Sequence, residues 1–576
     1  MIGVPGFCPL SPRSPITMAR VPANSQSLSP FPFSFVAACG LSVLHSVTAF
    51  AEQPHPALEL RPTAAVAGSL VIAGGGPLPP SVIDRYFELA GGEQARVVII
   101  TTASTLGGTP GAEAHYASWF ERKAASLTFL HTRDRIEANK PEFSQCLQEA
   151  NAVWFMGGNQ NWLAEAYLGT LVEQRCHDLL RRNGVIGGTS AGAAIMSKSM
   201  IAGGRQLPIM ASGFGFLEGT VIDQHFKKRN RQERLLQALE FRPGHVGIGI
   251  DESTALIVRG RTLEVVGNSD VTLSLAPSSG RGVHQQSLVV GQKEDMVKLS
   301  RAAIARTRPP FPSPKSPTPE VKSGTLVIVG GGATPREAVD QFLTAAGGKD
   351  ASILVVSNAL GEEPPEEQKV CGWLTEAGAS NVHQFHACDT EDICSPDLQS
   401  RLKNAGGVWF TGGRQWRLVD AYLDTPIQSL FHAVLSRGGV IGGTSAGATI
   451  QGEYLVRGNP LGNTDMMAEG YERGFGFLPG VAIDQHFSQR DRFEDMTGLK
   501  RRYPQLIGLG IDEATALIVR GTTMEVVGKS QVAVFDRQPD DPESDQEFEI
   551  VKAGQKYDFK QRRLMDPVVT QTATTK

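Results

Sequence analysis

Short apolar runs that end in glycine-rich or polar turns punctuate the chain, and stretches compatible with helices separate them. In the first half the runs are Leu70 to Ala73, Val97 to Ile100, Val153 to Phe155 and Val185-Ile186, with helix-compatible stretches at Ser81 to Ala90, Trp162 to Leu168 and Leu171 to Arg182. This alternation predicts βαβ units and an α/β fold built on a mainly parallel, doubly wound sheet. Sheets of this kind carry their sites at the carboxyl ends of strands, where the glycine turns fall. Further on, Ser253 to Val258 and Thr262 to Val266 predict a hairpin around Arg259-Gly260-Arg261, and the pattern returns around Arg520-Gly521.

The pattern occurs twice. Ser69 to Gly76 returns as Thr325 to Gly332, Val153 to Gln160 as Val408 to Gln415, and Val185 to Ala193 as Val440 to Ala448. Gly213 to Leu217 and Ile222 to Phe226 match Gly474 to Leu478 and Ile483 to Phe487, and Gly291-Gln292-Lys293 reappears as Gly554-Gln555-Lys556. An offset of about 255 residues is a whole domain, so this is a tandem duplication and not a solenoid. With 576 residues, two domains of ordinary size are expected. Between the copies, Arg306 to Pro319 is proline-rich, which favours an extended, semi-rigid linker. The expected organisation is an N-terminal extension at 1–51, domains at 52–300 and 324–565, a linker at 301–323 and a tail at 566–576.

Composition changes this picture little. The net charge of −4 gives no electrostatic reason to expect nucleic acid or an anionic membrane as partner, and small substrates are expected. The N-terminus reads as a secretory signal peptide: Arg13 and Arg20, an apolar run from Phe31 to Leu44, then Ala49-Phe50-Ala51 before Glu52. It is too short and interrupted for a spanning helix. Val36-Ala37-Ala38-Cys39 offers a second reading, as a lipobox. Past Ala51 the cysteines are Cys146, Cys176, Cys371, Cys388 and Cys394, an odd number without C-x-x-C spacing; neither a disulfide framework nor a zinc site is indicated, and only Cys388 and Cys394 are placed to pair locally.

Candidate chemistry centres on Gly188-Thr189-Ser190-Ala191-Gly192 and its copy Gly443-Thr444-Ser445-Ala446-Gly447, the G-x-S-x-G layout of a nucleophile on a tight strand-to-helix turn. Gly74-Gly75-Gly76 lacks the spacing of a phosphate cradle and reads as a close turn at a strand end. A serine nucleophile needs a base, itself oriented by a third group. Of twelve histidines, His225 and His486 recur in the same Asp-Gln-His-Phe motif, whereas His115, His131, His177, His383 and His432 show no counterpart in the other copy. Downstream, Gly247 to Glu252 and Gly508 to Glu513 are strands ending in two carboxylates; Glu252 and Glu513 are candidates for the third member, with Asp251 and Asp512 open as alternatives. The order Ser, His, Glu differs from the Ser, Asp/Glu, His order of α/β-hydrolases.

Together, Gly-Gly-Thr-Ser-Ala-Gly-Ala, Phe-x-Gly-Gly-x-Gln, Asp-Gln-His-Phe-x-x-Arg-x-Arg and Gly-Ile-Gly-Ile-Asp-Glu resemble the cyanophycinase branch of the peptidase E-like serine peptidases, over about Ser69 to Leu299 and Thr325 to Leu564. The resemblance implies two three-layer α/β/α domains like the class I glutamine amidotransferases. It implies Ser190, His225 and Glu252 as nucleophile, base and orienting acid, and Ser445, His486 and Glu513 in the second copy. It makes Gln160, Asp223, Gln224, Arg229, Arg231 and Arg234 substrate-binding, with Gln415, Asp484, Gln485, Arg490 and Arg492 as second-copy counterparts. Oxyanion donors would be the N–H groups of Ala191 and Gly158, and of Ala446 and Gly413. No metal or cofactor is called for.

The implied substrate is cyanophycin, poly-aspartate with arginine on each side-chain carboxyl, cut to β-Asp-Arg dipeptides. Arginines suit it because a planar guanidinium grips a carboxylate bidentately. Two readings stay beside this one: a peptidase for other aspartyl or isoaspartyl peptides, and a catalytically silent binding protein. Because relatives are commonly dimeric, the copies are expected to pack as an intramolecular pseudo-dimer. The copies depart at Arg234, replaced by Asp495, and in about six extra residues around Gly458 to Asn463; both put the second copy's substrate preference in question.

Overall fold

The computed structural model describes residues 62–63, 65–120, 124–387, 395–536 and 547–565. The expected leader at 1–51, Cys39, Cys388, Cys394 and the tail from 566 lie outside the described residues.

In the first repeat the strand Val66–Ala73 is central. It pairs in parallel with Val185–Thr189, and the sheet continues in parallel through Ala152–Phe155 and Arg96–Ile100 to Ser126–Leu130. On its other side the sheet turns antiparallel, through the expected hairpin Thr254–Gly260 and Thr262–Gly267, to Lys293–Asp295. Successive strand residues serve opposite faces: Leu70, Ile72, Val153 and Phe155 enter one core, and Val71, Ala73, Ala152 and Trp154 the other. Both faces need cover, and helices provide it. Pro80–Leu89 buries Val82, Tyr86 and Phe87 on one side, and Leu171–Arg181 buries Val172, Cys176 and Leu179 on the other. Each such large apolar side chain contributes roughly 1.5–3 kcal/mol on burial.

The second repeat rebuilds this layering: Leu326 and Ile328 face one core, Val327 and Val329 the other. Its main sheet has nine strands and the first repeat's has eight. Each repeat also carries a smaller sheet that a single-sheet expectation does not include. In the first it holds Thr220–Gln224 and Val246–Ile250 in parallel, with Val271–Leu275 and His284–Leu288 antiparallel. The two strands leading to the candidate histidine and carboxylate are thus neighbours in register, Gln224 opposite Ile250.

The described residues belong to one compact unit. The helix Met296–Ala305, capped by Arg306, and the strand Val321–Val329 leave residues 307–320 as the irregular connection. That connection is packed: Phe311 stacks on Tyr454 at 6.1 Å between ring centres. Arginines of the first repeat meet acids of the second, Arg261 and Arg301 on Asp420, Arg281 and Arg306 on Glu469. Exchanging the repeats does not regenerate these pairs, because Asp420 corresponds to Glu165 and Arg261 to Thr522.

No helix among the described residues is long and apolar enough to cross a membrane. Cys146, Cys176 and Cys371 are free thiols.

Candidate active site

Three consecutive backbone carbonyls organise the site. Ala73 O accepts from Ser190 N at 3.0 Å, Gly74 O from His225 N at 2.8 Å, and Gly75 O from Ser253 N, beside Glu252, at 2.9 Å. In the second repeat Val329, Gly330 and Gly331 accept from Ser445, His486 and Ala514 at 3.0, 2.7 and 2.9 Å. The triple-glycine turn, read from sequence as a close turn only, is the template on which three distant chain segments converge. Its recurrence in both copies was the available signal. A methyl on Gly75 would lie 2.6 Å from His225 Nε2, and one on Gly331 2.7 Å from His486 Nε2, so the glycines floor the imidazoles.

The serine turn is strained and crowded. Ser190 has φ 53° and Ser445 φ 54°, and both histidines have φ 50°. Such backbone costs on the order of 1–3 kcal/mol per residue and persists only where the surroundings enforce it. The enforcement is visible: a methyl on Gly187 would sit 2.5 Å from Trp154 Cζ3, and one on Gly192 2.7 Å from the Phe155 carbonyl carbon. Helix Ala191–Ala194 therefore lies directly on the sheet and presents the serine beyond the strand end.

Ser190 Oγ is 2.8 Å from His225 Nε2, and His225 Nδ1 is 2.7 Å from Glu252 Oε1. The second repeat gives 2.9 and 2.5 Å for Ser445, His486 and Glu513. The glutamates, not the neighbouring aspartates, hold the rings. Asp251 accepts from Lys228 N and Asp512 from Ser488 N, which fixes the turn after each histidine. Burial pushes both imidazoles below the usual histidine pKa, more than the glutamates raise them. A ring neutral at pH 7, with its far nitrogen on a carboxylate, can take a proton from serine.

The first triad opens on a cavity of about 500 Å3 lined by Gly158, Gln160, Ser190, Gln224 and four arginines, Arg205, Arg229, Arg231 and Arg234. Arg205 was not among the sequence candidates; it lies in the hairpin Ser199–Gly203 and Ile209–Ser212, whose place beside the site only the fold decides. Gly158, at φ 140°, has no room for a side chain against Ala103. Gln160 Nε2 donates to Ile201 O and Ala202 O, tying the hairpin to the cavity. Gln224 Oε1 is buried and without a partner.

One expectation needs correction. Asp223, with no exposed surface, cannot touch a substrate; it binds Arg234 through both oxygens and Arg231 Nη1 at 3.3 Å. Its negative charge holds the arginines at the cavity. Asp484 is equally inaccessible and binds Arg492 Nη1 at 2.6 Å.

The second repeat restores what the Arg234-to-Asp495 exchange removes. Arg457, at φ 55° and 3% exposed, donates to Asp484 through Nε at 3.1 Å and Nη2 at 3.0 Å, and its Nη2 also meets Asp495 at 2.6 Å. A guanidinium still sits on the buried aspartate, delivered from a different element. Arg457 stands where the first repeat has Ala202, since Gln415 Nε2 bonds Val456 O and Arg457 O as Gln160 bonds Ile201 and Ala202. The extra residues form the adjoining wall, pinned where Arg414 donates to Asn459 O and Gly462 O at 2.8 and 2.7 Å.

Two further histidine pairs recur in the two repeats, contrary to expectation. His131 and His386 are counterparts, each bonded through Nδ1 to a hydroxyl at a strand end, Thr101 and Ser357. His177 and His432 are counterparts as well, bonded to the carbonyls of Phe214 and Phe475. They escaped notice because no continuous motif surrounds them. None of the four hydrogen-bonds a candidate serine, so His225 and His486 remain the bases the geometry offers. No group of acids, histidines and cysteines among the described residues is placed to hold a metal ion.

The model of peptidase family S51 matches residues 70–266 and 324–527. A cyanophycinase from Geminocystis herdmanii is 36% identical over 201 residues, which is 33% of this chain and 74% of that protein. A cyanophycinase from Nostoc sp. is 33% identical over 226 residues, 38% of this chain and 76% of that one. Among solved structures, a peptidase from an acI-B1 Actinobacterium aligns at 23% identity and TM-score 0.33, covering 40% of this chain and 97% of that one.

Proposed function

The chain belongs to peptidase family S51 and is a serine-type peptidase, and on that premise we propose that it hydrolyses cyanophycin to β-Asp-Arg dipeptides through an acyl-enzyme at two sites. The observation that carries this reading is the Ser190, His225, Glu252 chain opening onto a cavity lined by four arginines, a cationic surface suited to the free α-carboxylates that the arginyl groups of such a polymer carry. The cyanophycinase names of the relatives supply the polymer.

In the proposed step, Ser190 Oγ attacks the scissile carbonyl while His225 Nε2 takes its proton, and Glu252 stabilises the imidazolium that forms. The N–H groups of Ala191 and Gly158 receive the developing oxyanion; one such donor is worth about 10²–10³ in rate. His225 then gives the proton to the leaving amine, and water, deprotonated by the same ring, releases the acyl group. Gln224, Arg229, Arg231 and Arg234 bind the carboxylates near the cut bond, with Gln485, Arg490 and Arg492 in the second site; Gln160 and Gln415, whose Nε2 donors are taken by backbone carbonyls, offer Oε1 to a substrate N–H. We also infer that the protein is exported, cleaved after Ala51, and that the two repeats stay joined as a working pair.

The test is incubation of the purified protein with insoluble cyanophycin, following β-Asp-Arg release by wild type, Ser190→Ala, Ser445→Ala and the double variant. Release by wild type and each single variant but not by the double supports the reading. No release by wild type, with hydrolysis of other aspartyl dipeptides, would replace the substrate; release by the double variant would remove the mechanism. A mature N-terminus other than Glu52 would overturn the cleavage site, and halves that separate in size-exclusion chromatography after linker cleavage would overturn the pairing.

A further inference from the structure

The two sites differ in what holds their outer walls. In the first repeat the wall is the hairpin Ser199–Gly203 and Ile209–Ser212, and its tip is open to solvent, with Leu207 68% and Ile209 63% exposed. In the second repeat the equivalent stretch, Leu455 to Arg473, is the segment onto which the first repeat docks. Counted back from the shared Gly213 and Gly474, exposed Leu207 and Ile209 correspond to Ala468 and Gly470. A methyl on Gly470 would lie 2.6 Å from Lys298 O and 2.8 Å from Ala302 N, so the first repeat's helix Met296–Ala305 rests on the backbone there.

The docking is ionic and specific. Arg306 Nε meets Glu469 Oε1 at 2.7 Å, and Arg281 reaches Glu469 at 2.9 Å and Glu472 at 2.9 Å. Arg261 Nη2 donates to Tyr471 Oη at 2.7 Å, and Tyr471 Oη donates to Asp420 at 2.8 Å. Arg261 Nη1 at 2.9 Å and Arg301 Nε at 2.7 Å also reach Asp420, on the helix Gln415–Tyr422 whose first residue ties the wall. Burial pushes the Glu469 carboxyl up, but Arg306 and Arg281 more than offset it and hold it below the usual range.

From these anchors the wall leads directly to the site. Leu455 N bonds Glu472 O at 2.8 Å and Arg457 N bonds Met466 O at 3.1 Å, so the anchored end holds the strained backbone of the residue whose guanidinium sits on Asp484. The triad itself rests on other elements, the strand ends and the glycine template. A loop of this length without regular structure would otherwise sample many conformations, and fixing it costs entropy that docked contacts offset.

We propose that the second site is completed by the first repeat: Arg261, Arg281, Arg301 and Arg306 are positioning residues for the wall that carries Arg457, whereas the first site needs no reciprocal support. This rests on the reading of the second site as a peptidase site.

The experiment is the double variant Arg281→Gln/Arg306→Gln, made in Ser190→Ala protein, where only the second site works, and in Ser445→Ala protein, where only the first does. Cyanophycin hydrolysis and amide hydrogen exchange over residues 455–472 are read together. In Ser190→Ala protein KM rises about tenfold, kcat changes by less than about threefold, and wall exchange accelerates about tenfold, the scale of an ordinary coupling between sites. In Ser445→Ala protein hydrolysis is unchanged. Arg281→Lys/Arg306→Lys recovers part of the KM effect, and Arg281→Gln alone serves if the double variant aggregates. Unchanged wall exchange, or equal losses at both sites, overturns the proposal. If Ser190→Ala protein is inactive before the interface is altered, the peptidase reading of the second site fails, and the exchange result alone decides whether the first repeat holds the wall.

Discussion

Gly75→Ala adds a single methyl group, yet the geometry makes it a strong test of the first site. The new carbon would stand 2.6 Å from His225 Nε2 and 2.9 Å from Nδ1, where ordinary contact begins at 3.4 Å. The ring must retreat by at least about 0.8 Å, the difference between 3.4 and 2.6 Å, since Cε1 lies closer still. A retreat of that size along the line from serine would leave Nε2 roughly 3.6 Å from an Oγ now at 2.8 Å, and one across that line would misalign the pair; either weakens the hydrogen bond. General-base assistance is worth about 10²–10⁴ in rate, and kcat is expected to fall within that range. Gly75 also sits at φ 110°, so the backbone itself is strained by alanine, at roughly 1–3 kcal/mol. The assay is hydrolysis by Gly75→Ala in Ser445→Ala protein, with the rate at which an organophosphorus fluoridate labels Ser190 as a readout that needs no substrate. Both rates should fall together while thermal unfolding stays cooperative. Near-normal labelling and kcat would refute the claim that the triple-glycine turn seats the base, and Gly331→Ala in Ser190→Ala protein repeats the test at His486.

Other predictions follow from the same geometry. The base acts deprotonated, so kcat/KM rises with pH through the histidine pKa and then levels; because burial lowers His225 and His486, the midpoint falls below the usual histidine value, and a single-site protein with its midpoint above pH 7 would contradict this. Glu252→Gln removes the group that raises His225, moving the midpoint lower still while reducing kcat. Arg234→Leu leaves Asp223 buried with only the longer Arg231 contact and should destabilise the first repeat by about 3–5 kcal/mol in denaturant unfolding, whereas Asp223→Asn/Arg234→Leu should lose less. Gly187→Ala drives a methyl to 2.5 Å from Trp154 and should cost about 1–3 kcal/mol or more, seen as a lower unfolding midpoint.

Much of this protein was determined by its sequence alone. Apolar runs such as Leu70 to Ala73 are strands because residues buried on alternate faces of a covered sheet must all be apolar, and that periodicity is local. The duplication, the serine turn and the paired histidines are likewise visible as repeated residues, and the order Ser, His, Glu separated this arrangement from α/β-hydrolases before any fold was considered. Tertiary structure decided what depends on distance in space. The choice of Glu252 over Asp251 turned on which carboxylate faces the ring, since both stand at one strand end. Asp223 looked like a binding residue until its burial made it an anchor for arginines. The exchange of Arg234 for Asp495 looked like loss because Arg457 lies on a distant segment of the chain and meets Asp484 only in the folded protein. The triple glycine shows the limit most clearly: its composition states that space is short, and only the fold reveals that the space belongs to the imidazole of His225.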